Sequence, residues 1–457
     1  ACLNYDAEKF FTKWLADMSA DQRPDGYVGH VIPDLLQAPK ASAAWGDAAT
    51  ICPWEVYLAF GDKQILENQF DCMKGWVNYI TSTTKDQYLW TGGEHYGDWL
   101  GLDAPSGSYK GSSREDFIAI RKFFDIVSEM KDAISLGVGE PDFDTPWHIR
   151  EEGIYSLEKG RTFYTSNAGL LELRKAIAHY MYRKYELTYN PAHEIVVTVG
   201  GSEGIDLALR AMLNPGDEVI LPEPAFVSYL PCVKLADGVP VTIDLKEENH
   251  FKLKPEELLA AITDKTKILI LSYPNNPTGA IMTREDLEPI AEIVKEKDLY
   301  VISDEIYAEL TYGQNHCSIA SLPGMRDRTI IINGFSKSFA MTGWRMGFAT
   351  GPELIMQQIL KIHQFAIMAA PTTSQYAAIE AMTNGEEDVQ IMRNAYNQRR
   401  RFVLELFSEM GLKCFEPEGA FYMFPCIKEF GMTSDEFANR FLREEKVAII
   451  PGTAFGD

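Results

Sequence analysis

The chain alternates short hydrophobic β-runs with helix-length segments over most of its length. Beginning at about Ile120, five such runs recur, at Ile195 to Val199, Glu218 to Leu221, Ile268 to Leu271, Tyr300 to Ser303 and Thr329 to Ile332. Strands that alternate with helices form a mostly parallel sheet, because each crossover helix packs back onto one of the sheet's two faces. The sequence therefore predicts an α/β fold for residues 120–457.

The first part of the chain differs from the rest in composition and in hydrophobic pattern. Residues 1–119 are rich in Trp, Tyr, Gly and Asp, and amphipathic helix-length runs occur at Tyr5 to Met18 and Trp54 to Phe60. Glycine-rich connections separate these runs, which indicates all-α helical hairpins. We expect the boundary between the two parts near residues 119/120, with no linker.

Charge and cysteine content restrict the possible partners. The net charge is −23, and a mostly negative surface repels polyanions, so we expect neither a nucleic acid nor a membrane partner. The seven cysteines lack metal-ligand spacing, which predicts free thiols, no metal site and a cytoplasmic location. The sequence shows no signal-peptide pattern and no bilayer-length apolar run.

Candidate anion-binding residues follow the strands of the predicted sheet. Ligands of open α/β sheets bind outside the carboxyl ends of the strands. Gly200, Gly201 and Ser202 enter a helix after the first run, where free backbone N–H groups and a hydroxyl suit a phosphate. Arg345 adds a planar fork of donors and Ser336 a hydroxyl. Taken singly, these motifs also fit an ordinary turn and a surface ion pair.

Three further polar side chains suit an aromatic ligand. Asp304 can hydrogen-bond a protonated pyridine nitrogen, although many strand-end aspartates only cap helices. Asn276 and Tyr307 can donate to a phenolate oxygen on the same ring. Phe226 either stacks on the ring or belongs to the core.

Lys337 lies in a predicted tight loop after the last β-run. A neutral amine there attacks an aldehyde, provided that burial and the charge of Arg345 lower its pKa. A lone lysine is usually a solvated surface charge, so the interpretation depends on the ordered set of motifs. Together they predict a ligand with a phosphate, a pyridine ring and an aldehyde.

Three motifs carry a family resemblance. They are the segment 336–345, SKSFAMTGWR, the segment 275–279, NNPTG, and the segment 303–307, SDEIY, supported by 136–143, LGVGEPDF. With them, residues 120–457 resemble the fold-type I, class I pyridoxal-phosphate aminotransferases, in the branch of the aspartate and aromatic aminotransferases. The resemblance implies a small domain of 120–155 and 386–457 and a large cofactor-binding domain of 156–385.

The resemblance also implies functions for single residues. Lys337 would be the catalytic residue that binds pyridoxal phosphate and moves the substrate proton. Tyr164 would reach the phosphate of a neighbouring subunit, which implies a homodimer. Gly139 and Asn276 would contact the substrate. The other cofactor-binding residues would be Gly200, Gly201, Ser202, Phe226, Asp304, Tyr307, Ser336 and Arg345.

The chain departs from the family pattern at two places. Family members continue beyond the position of Asp457 into a strand with an arginine that binds the substrate carboxylate. Losing such a partner costs about 2 to 5 kcal/mol of binding, so we expect turnover to fall about 10²-fold or more. Gly334 stands where some relatives have a phosphate-binding serine.

Residues 1–119 resemble a fragment of the (α/α)6 barrel of α-L-rhamnosidases, glycoside hydrolase family 78. The motifs that carry this resemblance are Trp14, the segments 22–26 and 45–48, Pro53 with Trp54, and the segment 95–100. Acids and aromatic rings suit a sugar's hydroxyls and apolar face. The sugar-binding candidates are Asp47, Glu94, His95, Asp98 and Trp99. Because acids expected on either side lie outside the chain, solvated loop acids are the alternative interpretation.

The sequence leaves four functions open. The leading one is transfer of an amino group between an L-amino acid of aspartate or aromatic type and a 2-oxo acid. A β-eliminating lyase would use the same cofactor. A glycoside hydrolase and an inert cofactor-binding fusion are the remaining alternatives.

Overall fold

The computed structural model describes residues 8–29, 32, 47–61, 63–83, 133–137 and 139–456. Contacts between Cα atoms divide the chain into two compact units, Ala1–Glu129 and Met130–Asp457. The expected boundary at 119/120 lies outside the described residues and stays a prediction.

The first unit contains three described helices, α1 (Glu8–Asp21), α2 (Ala48–Phe60) and α3 (Lys63–Thr83). Their buried side chains include Leu15, Met18 and Trp76. Gly61 ends α2 in the left-handed conformation, with its N–H bonded to the carbonyl of Tyr57. The predicted run at 54–60 lies in α2, and the run at 5–18 lies in α1 from residue 8 onward.

In the described residues of the second unit there are two sheets and ten α-helices. Its strands are β1 (Ile134–Ser135), β2 (Ile195–Thr198), β3 (Glu218–Glu223), β4 (Val239–Asp244), β5 (Thr266–Ser272), β6 (Tyr300–Asp304), β7 (Thr329–Gly334), β8 (Gly347–Thr350) and β9 (Val447–Ala448). Its helices are α4 (Trp147–Glu158), α5 (Leu171–Tyr185), α6 (Gly200–Met212), α7 (Tyr229–Leu235), α8 (Pro255–Ala261), α9 (Arg284–Glu296), α10 (Glu353–Ala366), α11 (Thr372–Asn384), α12 (Glu386–Glu409) and α13 (Ser434–Glu445).

Seven strands form the main sheet in the order β2-β8-β7-β6-β5-β3-β4. All neighbours are parallel except β8, which is antiparallel to both β2 and β7. The predicted mostly parallel α/β fold is therefore confirmed. Two strands of this sheet, β4 and β8, were missed by the sequence analysis. The edge strand β4 lacks a continuous buried run, and β8 has only four residues, two of which are Gly and Thr.

Helices cover both faces of this sheet, as the strand β7 shows. Its isoleucines alternate between two cores, since side chains of a strand point to opposite faces in turn. Ile331 packs with Ile195 and Phe348, whereas Ile330 and Ile332 pack into a separate cluster on the other side. A hydrophobic run buried on both faces is the pattern of a central parallel strand.

The sheet brings the carboxyl ends of β2, β5, β6 and β7 to one edge, because these four strands share a direction. The smaller sheet pairs β1 with β9 in parallel, Ile134 opposite Val447. This pairing joins the two segments assigned to the small domain, and the division into small and large domains stays a prediction. In the described ranges, no helix has the length and apolar character needed to traverse a bilayer.

Candidate active site

Lys337 lies in a turn directly after β7. Its side chain is partly buried, and Nζ donates a hydrogen bond to the carbonyl of Gly139. The ring centroids of Tyr307 and Phe421 lie 5.8 and 5.6 Å from Nζ. The amine is thus held against aromatic rings rather than extended into solvent.

The surroundings of Lys337 lower its pKa. Burial has the largest effect, since it disfavours the ammonium form, and Arg345 acts in the same direction. The carboxylates of Glu140 and Asp304 act in the opposite direction, and the pKa is lowered from 10.5 to about 8. The neutral fraction at pH 7 rises to about one amine in ten, against roughly one in three thousand at the ordinary value.

We expect the reactivity of Lys337 to rise with pH and to level off above about pH 8. Lys337 loses its proton near this pH because its pKa is lowered, and only the neutral amine is a nucleophile. Competitive acetylation between pH 6 and 10, read by mass spectrometry, measures this directly. The exposed Lys361 in the same chain is the internal reference. Reactivity of Lys337 that still climbs steeply near pH 10 would contradict the lowered pKa.

Asp304 ends β6 and is buried. The hydroxyl of Tyr229 donates to its Oδ2 at 2.6 Å, and the backbone N–H of Ile306 donates to its Oδ1 at 3.1 Å. Burial raises the pKa of Asp304, and the two donors oppose this rise. A cationic partner, such as a protonated ring nitrogen, would compensate for the cost of a buried carboxylate.

Two tyrosines that the sequence interpretation did not place in the site are found here. The hydroxyl of Tyr229 lies 2.6 Å from Asp304 Oδ2 and 2.8 Å from Ser272 Oγ. Tyr422 was not considered, and its hydroxyl is hydrogen-bonded to that of Tyr307. Motif spacing offers no signal for these contacts, since the partners lie 75 and 115 residues apart in the chain.

Asn276 follows β5, which neighbours β6 in the sheet. Its side chain is buried, and in the described part of the chain its Oδ1 has no hydrogen-bond partner. A buried amide without a partner costs roughly 1 to 3 kcal/mol, so it indicates a place where a ligand group is expected.

Arg345 lies against the turn that begins α6. Gly200 has φ +77°, and a Cβ at this position would lie 2.6 Å from Nη2 of Arg345. A Cβ on Gly347 would lie 2.6 Å from the carbonyl carbon of Gly200, so only glycines allow this approach. Arg345 donates to the carbonyl of Thr342 at 3.1 Å. Among the described residues it has no carboxylate within ion-pair distance, which disfavours the surface ion-pair interpretation.

The remaining phosphate candidates lie next to these groups in the chain. Gly201 packs against Ile332 of β7, and Ser202 is exposed in the first turn of α6. Ser336 is buried beside Lys337, whereas Gly334 provides no hydroxyl. The free N–H groups of a helix start and a nearby guanidinium form a suitable anion site.

Phe226 and Gly139 also lie at this site. The ring of Phe226 is partly buried and meets Tyr229 edge-on, with centroids 5.7 Å apart. A Cβ on Gly139 would overlap the hydroxyl of Tyr422, so this position admits only glycine in the observed arrangement. Both residues therefore border the groups that surround Lys337 and Asp304.

Tyr164 is not part of the cluster. Its side chain is 86% exposed and makes no hydrogen bond or ring contact with the described residues. Of the sugar-binding candidates, Asp47 accepts a hydrogen bond from Trp76 Nε1 at 3.0 Å. Glu94, His95, Asp98 and Trp99 lie outside the described residues.

Comparison with known proteins identifies the family of the second unit. The family model for aminotransferase class I and II matches residues 131–456. This chain belongs to that family. Amino-group transfer is the reaction of its relatives, and neither glycoside hydrolysis nor β-elimination is favoured. The family depends on pyridoxal phosphate.

Two curated relatives and one crystal structure illustrate the similarity. The aspartate aminotransferase of Pyrococcus abyssi is 48% identical over 340 residues, which are 74% of this chain and 87% of the relative. Aromatic-amino-acid aminotransferase 2 of Thermococcus litoralis is 45% identical over 340 residues, which are also 74% of this chain and 87% of the relative. The crystal structure of aromatic aminotransferase from Pyrococcus horikoshii has a TM-score of 0.70 at 47% identity, covering 73% of this chain and 91% of that chain.

The first part of the chain has a separate similarity. The model for the bacterial alpha-L-rhamnosidase 6 hairpin glycosidase domain matches residues 1–180. This agrees with the resemblance expected from the sequence. The match overlaps the aminotransferase match at 131–180.

The residues of the aminotransferase unit fit the family's cofactor. Among the described residues, Asn276 Oδ1 has no hydrogen-bond partner and the Arg345 guanidinium has no ion pair. These two side chains and the buried Asp304 carboxylate are each suited to one group of pyridoxal phosphate. Lys337 adds an amine that is partly neutral near physiological pH.

Proposed function

We propose that this chain uses pyridoxal phosphate to transfer an amino group between an L-amino acid of aspartate or aromatic type and a 2-oxo acid. The observation that carries the proposal is the lowered pKa, about 8, of the partly buried Lys337 amine, which lies in the electrostatic field of Asp304 and Arg345. A surface lysine has neither property.

Each part of the cofactor has candidate residues. Arg345 and Ser336, with the N–H groups of Gly200 and Gly201 and the hydroxyl of Ser202, would hold the phosphate. Asp304 would bind the ring nitrogen, and Asn276 with Tyr307 the ring oxygen. Phe226 would cover one ring face. When bound, the cofactor supplies an electron-poor ring that delocalises the charge left on the substrate carbon after its proton is removed.

Lys337 would carry out the proton transfers. In its neutral form, the Lys337 amine would take the proton from the substrate Cα and then donate it to a neighbouring atom. Its pKa near 8 suits this use, because a catalytic base works best with a pKa near the working pH. The rings of Tyr307 and Phe421 would limit access of water to Nζ.

The substrate would approach from the side of Gly139. Its carbonyl accepts from Nζ of Lys337, so this backbone segment borders the reacting amine. Asn276 would contribute a side-chain contact to the same substrate. The names of the relatives support both the aspartate and the aromatic class, and the segment 371–375 contains no arginine for an acidic side chain.

An absorbance assay with two half-reactions tests this function. The protein loaded with pyridoxal phosphate should lose its visible absorbance on addition of aspartate or phenylalanine and regain it on addition of 2-oxoglutarate. Release of ammonia with irreversible loss of the amino acid's side chain would instead indicate a lyase. If neither amino acid changes the absorbance, the chain only binds the cofactor and does not transfer an amino group. That result would overturn the proposal.

A second copy of the chain would complete the site. Tyr164 and its neighbour in the chain, Phe163, are 86% and 81% exposed, and Phe365 is 87% exposed. Large exposed apolar side chains that are contiguous mark interaction surfaces. We infer a homodimer in which Tyr164 of each subunit contacts the other subunit's phosphate. Light scattering should give about twice the 51.5 kDa chain mass. A monomeric mass at the concentration of the assay would contradict this arrangement.

We infer a cytoplasmic location from the thiols. In the described part of the chain, Cys72, Cys232, Cys317, Cys414 and Cys426 are free thiols. Burial raises the pKa of Cys232 and Cys414 to about 11, which keeps both thiols protonated and unreactive. Cell fractionation that finds the protein outside the cytoplasm would contradict this inference.

A further inference from the structure

A cleft with a cavity volume of about 280 Å³ lies between the segment 311–315 and helix α12. Its lining is polar, and none of the residues around Lys337 belongs to it. No carboxylate lines it, although acidic residues outnumber basic ones by 66 to 43 in the chain. Such a surface is unusual in an acidic protein and is suited to an anion.

One face of α12 supplies polar and cationic side chains to the cleft. Arg393, Asn397 and Arg400 recur at helical spacing and therefore lie on the same side of the helix. Arg400 is fully engaged, since it donates to Glu416 at 2.8 Å and to Asn397 Oδ1 at 3.1 Å and stacks over Tyr312. Arg400 is therefore a structural residue.

Arg393, two turns earlier, is not engaged in this way. Its one hydrogen bond to the described residues goes to the neutral amide of Gln390, at 2.8 Å. In the described ranges it has no carboxylate within ion-pair distance. A guanidinium has five N–H donors in a fixed fork, so most of the N–H donors of Arg393 have no partner among the described residues and are available to the cleft.

Asn397 supplies a second donor. Because its Oδ1 accepts from Arg400, its Nδ2 group is the end that remains for the cleft. Gln314 and Asn315 on the opposite wall make no side-chain hydrogen bond to the described residues, and their amides can both donate and accept. A guanidinium fork beside two N–H donors matches a carboxylate, and the facing amides match hydroxyl or amino substituents.

We propose that this cleft is a binding site for a small hydroxy- or amino-carboxylate, separate from the active site. Arg393 and Asn397 bind the carboxylate, and Gln314 and Asn315 bind the polar substituents. The volume suits a small metabolite rather than a peptide or a nucleotide.

Citrate, a hydroxy-carboxylate, is the probe for this site. Calorimetric titration uses the full chain loaded with pyridoxal phosphate, which keeps the phosphate site of the active site filled. We expect a dissociation constant on the order of 1 mM for the unaltered chain. Arg393→Met should weaken binding at least about tenfold, because it removes the charged donor.

Asn397→Asp is the sharper variant. It keeps an oxygen acceptor for Arg400 and so preserves the helix contact, but it replaces the donor in the cleft by a negative charge. Citrate affinity should again fall at least about tenfold, while thermal stability and the transfer rate without citrate stay unchanged. Arg401→Met removes a charge from the exposed side of the same helix and should leave the affinity unchanged.

Several results would overturn the proposal. They are equal citrate affinity in Asn397→Asp and the unaltered chain, no binding of citrate by the unaltered chain, and an equal loss of affinity in Arg401→Met. Inorganic phosphate that binds more tightly than citrate and is lost in Arg393→Met would overturn the assignment to carboxylates.

Discussion

Replacing Lys337 with alanine should abolish amino transfer, with a fall in turnover of about 10⁴-fold or more. The variant would lose the amine that we propose as the cofactor's attachment point and as the base for the substrate proton, and a positioned base alone contributes about 10²- to 10⁴-fold. The visible absorbance of the loaded protein should disappear, and borohydride should leave no adduct at position 337. Stopped-flow absorbance and mass spectrometry measure these effects.

Two controls separate chemistry from folding. Lys361→Ala removes an exposed lysine and should leave the rate unchanged. A small primary amine added to Lys337→Ala should restore part of the activity, because it can replace the missing base. Normal turnover in Lys337→Ala, or absorbance that persists in it, would show that another residue binds the cofactor.

Replacing Asp304 with asparagine should lower kcat/KM by about 10²- to 10³-fold. The change keeps the shape of the side chain but removes the charge opposite the ring nitrogen, and breaking a buried ion pair costs about 3 to 5 kcal/mol. Without the cofactor, the same variant should unfold at a higher temperature than the unaltered chain, since burial raises the pKa of Asp304 and thus disfavours its charged form.

The two effects of Asp304→Asn have opposite signs, which makes the test specific. The rise in melting temperature on adding pyridoxal phosphate should be smaller in the variant than in the unaltered chain. Tyr229→Phe, which removes the hydroxyl shared between Asp304 Oδ2 and Ser272 Oγ, should lower kcat/KM about tenfold. A drop in stability of the cofactor-free Asp304→Asn protein would indicate that the carboxylate has a structural function.

The hydrophobic pattern was sufficient for the central strands. Ile268, Val301 and Ile330 belong to runs buried on both faces of the sheet, and such runs stand out from the sequence without any contact information. The strand β4 was missed because only one of its six residues is buried, and β8 because its sequence, Gly-Phe-Ala-Thr, contains one large apolar side chain and no β-type run.

The sequence alone determined which polar groups follow the strands, and it thereby placed Lys337 and Asp304 at one edge of the sheet. Parallel strands require this, because their carboxyl ends must meet there. The tertiary structure alone decided the environment of these groups: the hydroxyl of Tyr229 on Asp304, the contact of Tyr307 with Tyr422, and the burial that lowers the pKa of Lys337. Such contacts join residues far apart in the chain, and their energies depend on distance and burial, which no local pattern of residues encodes.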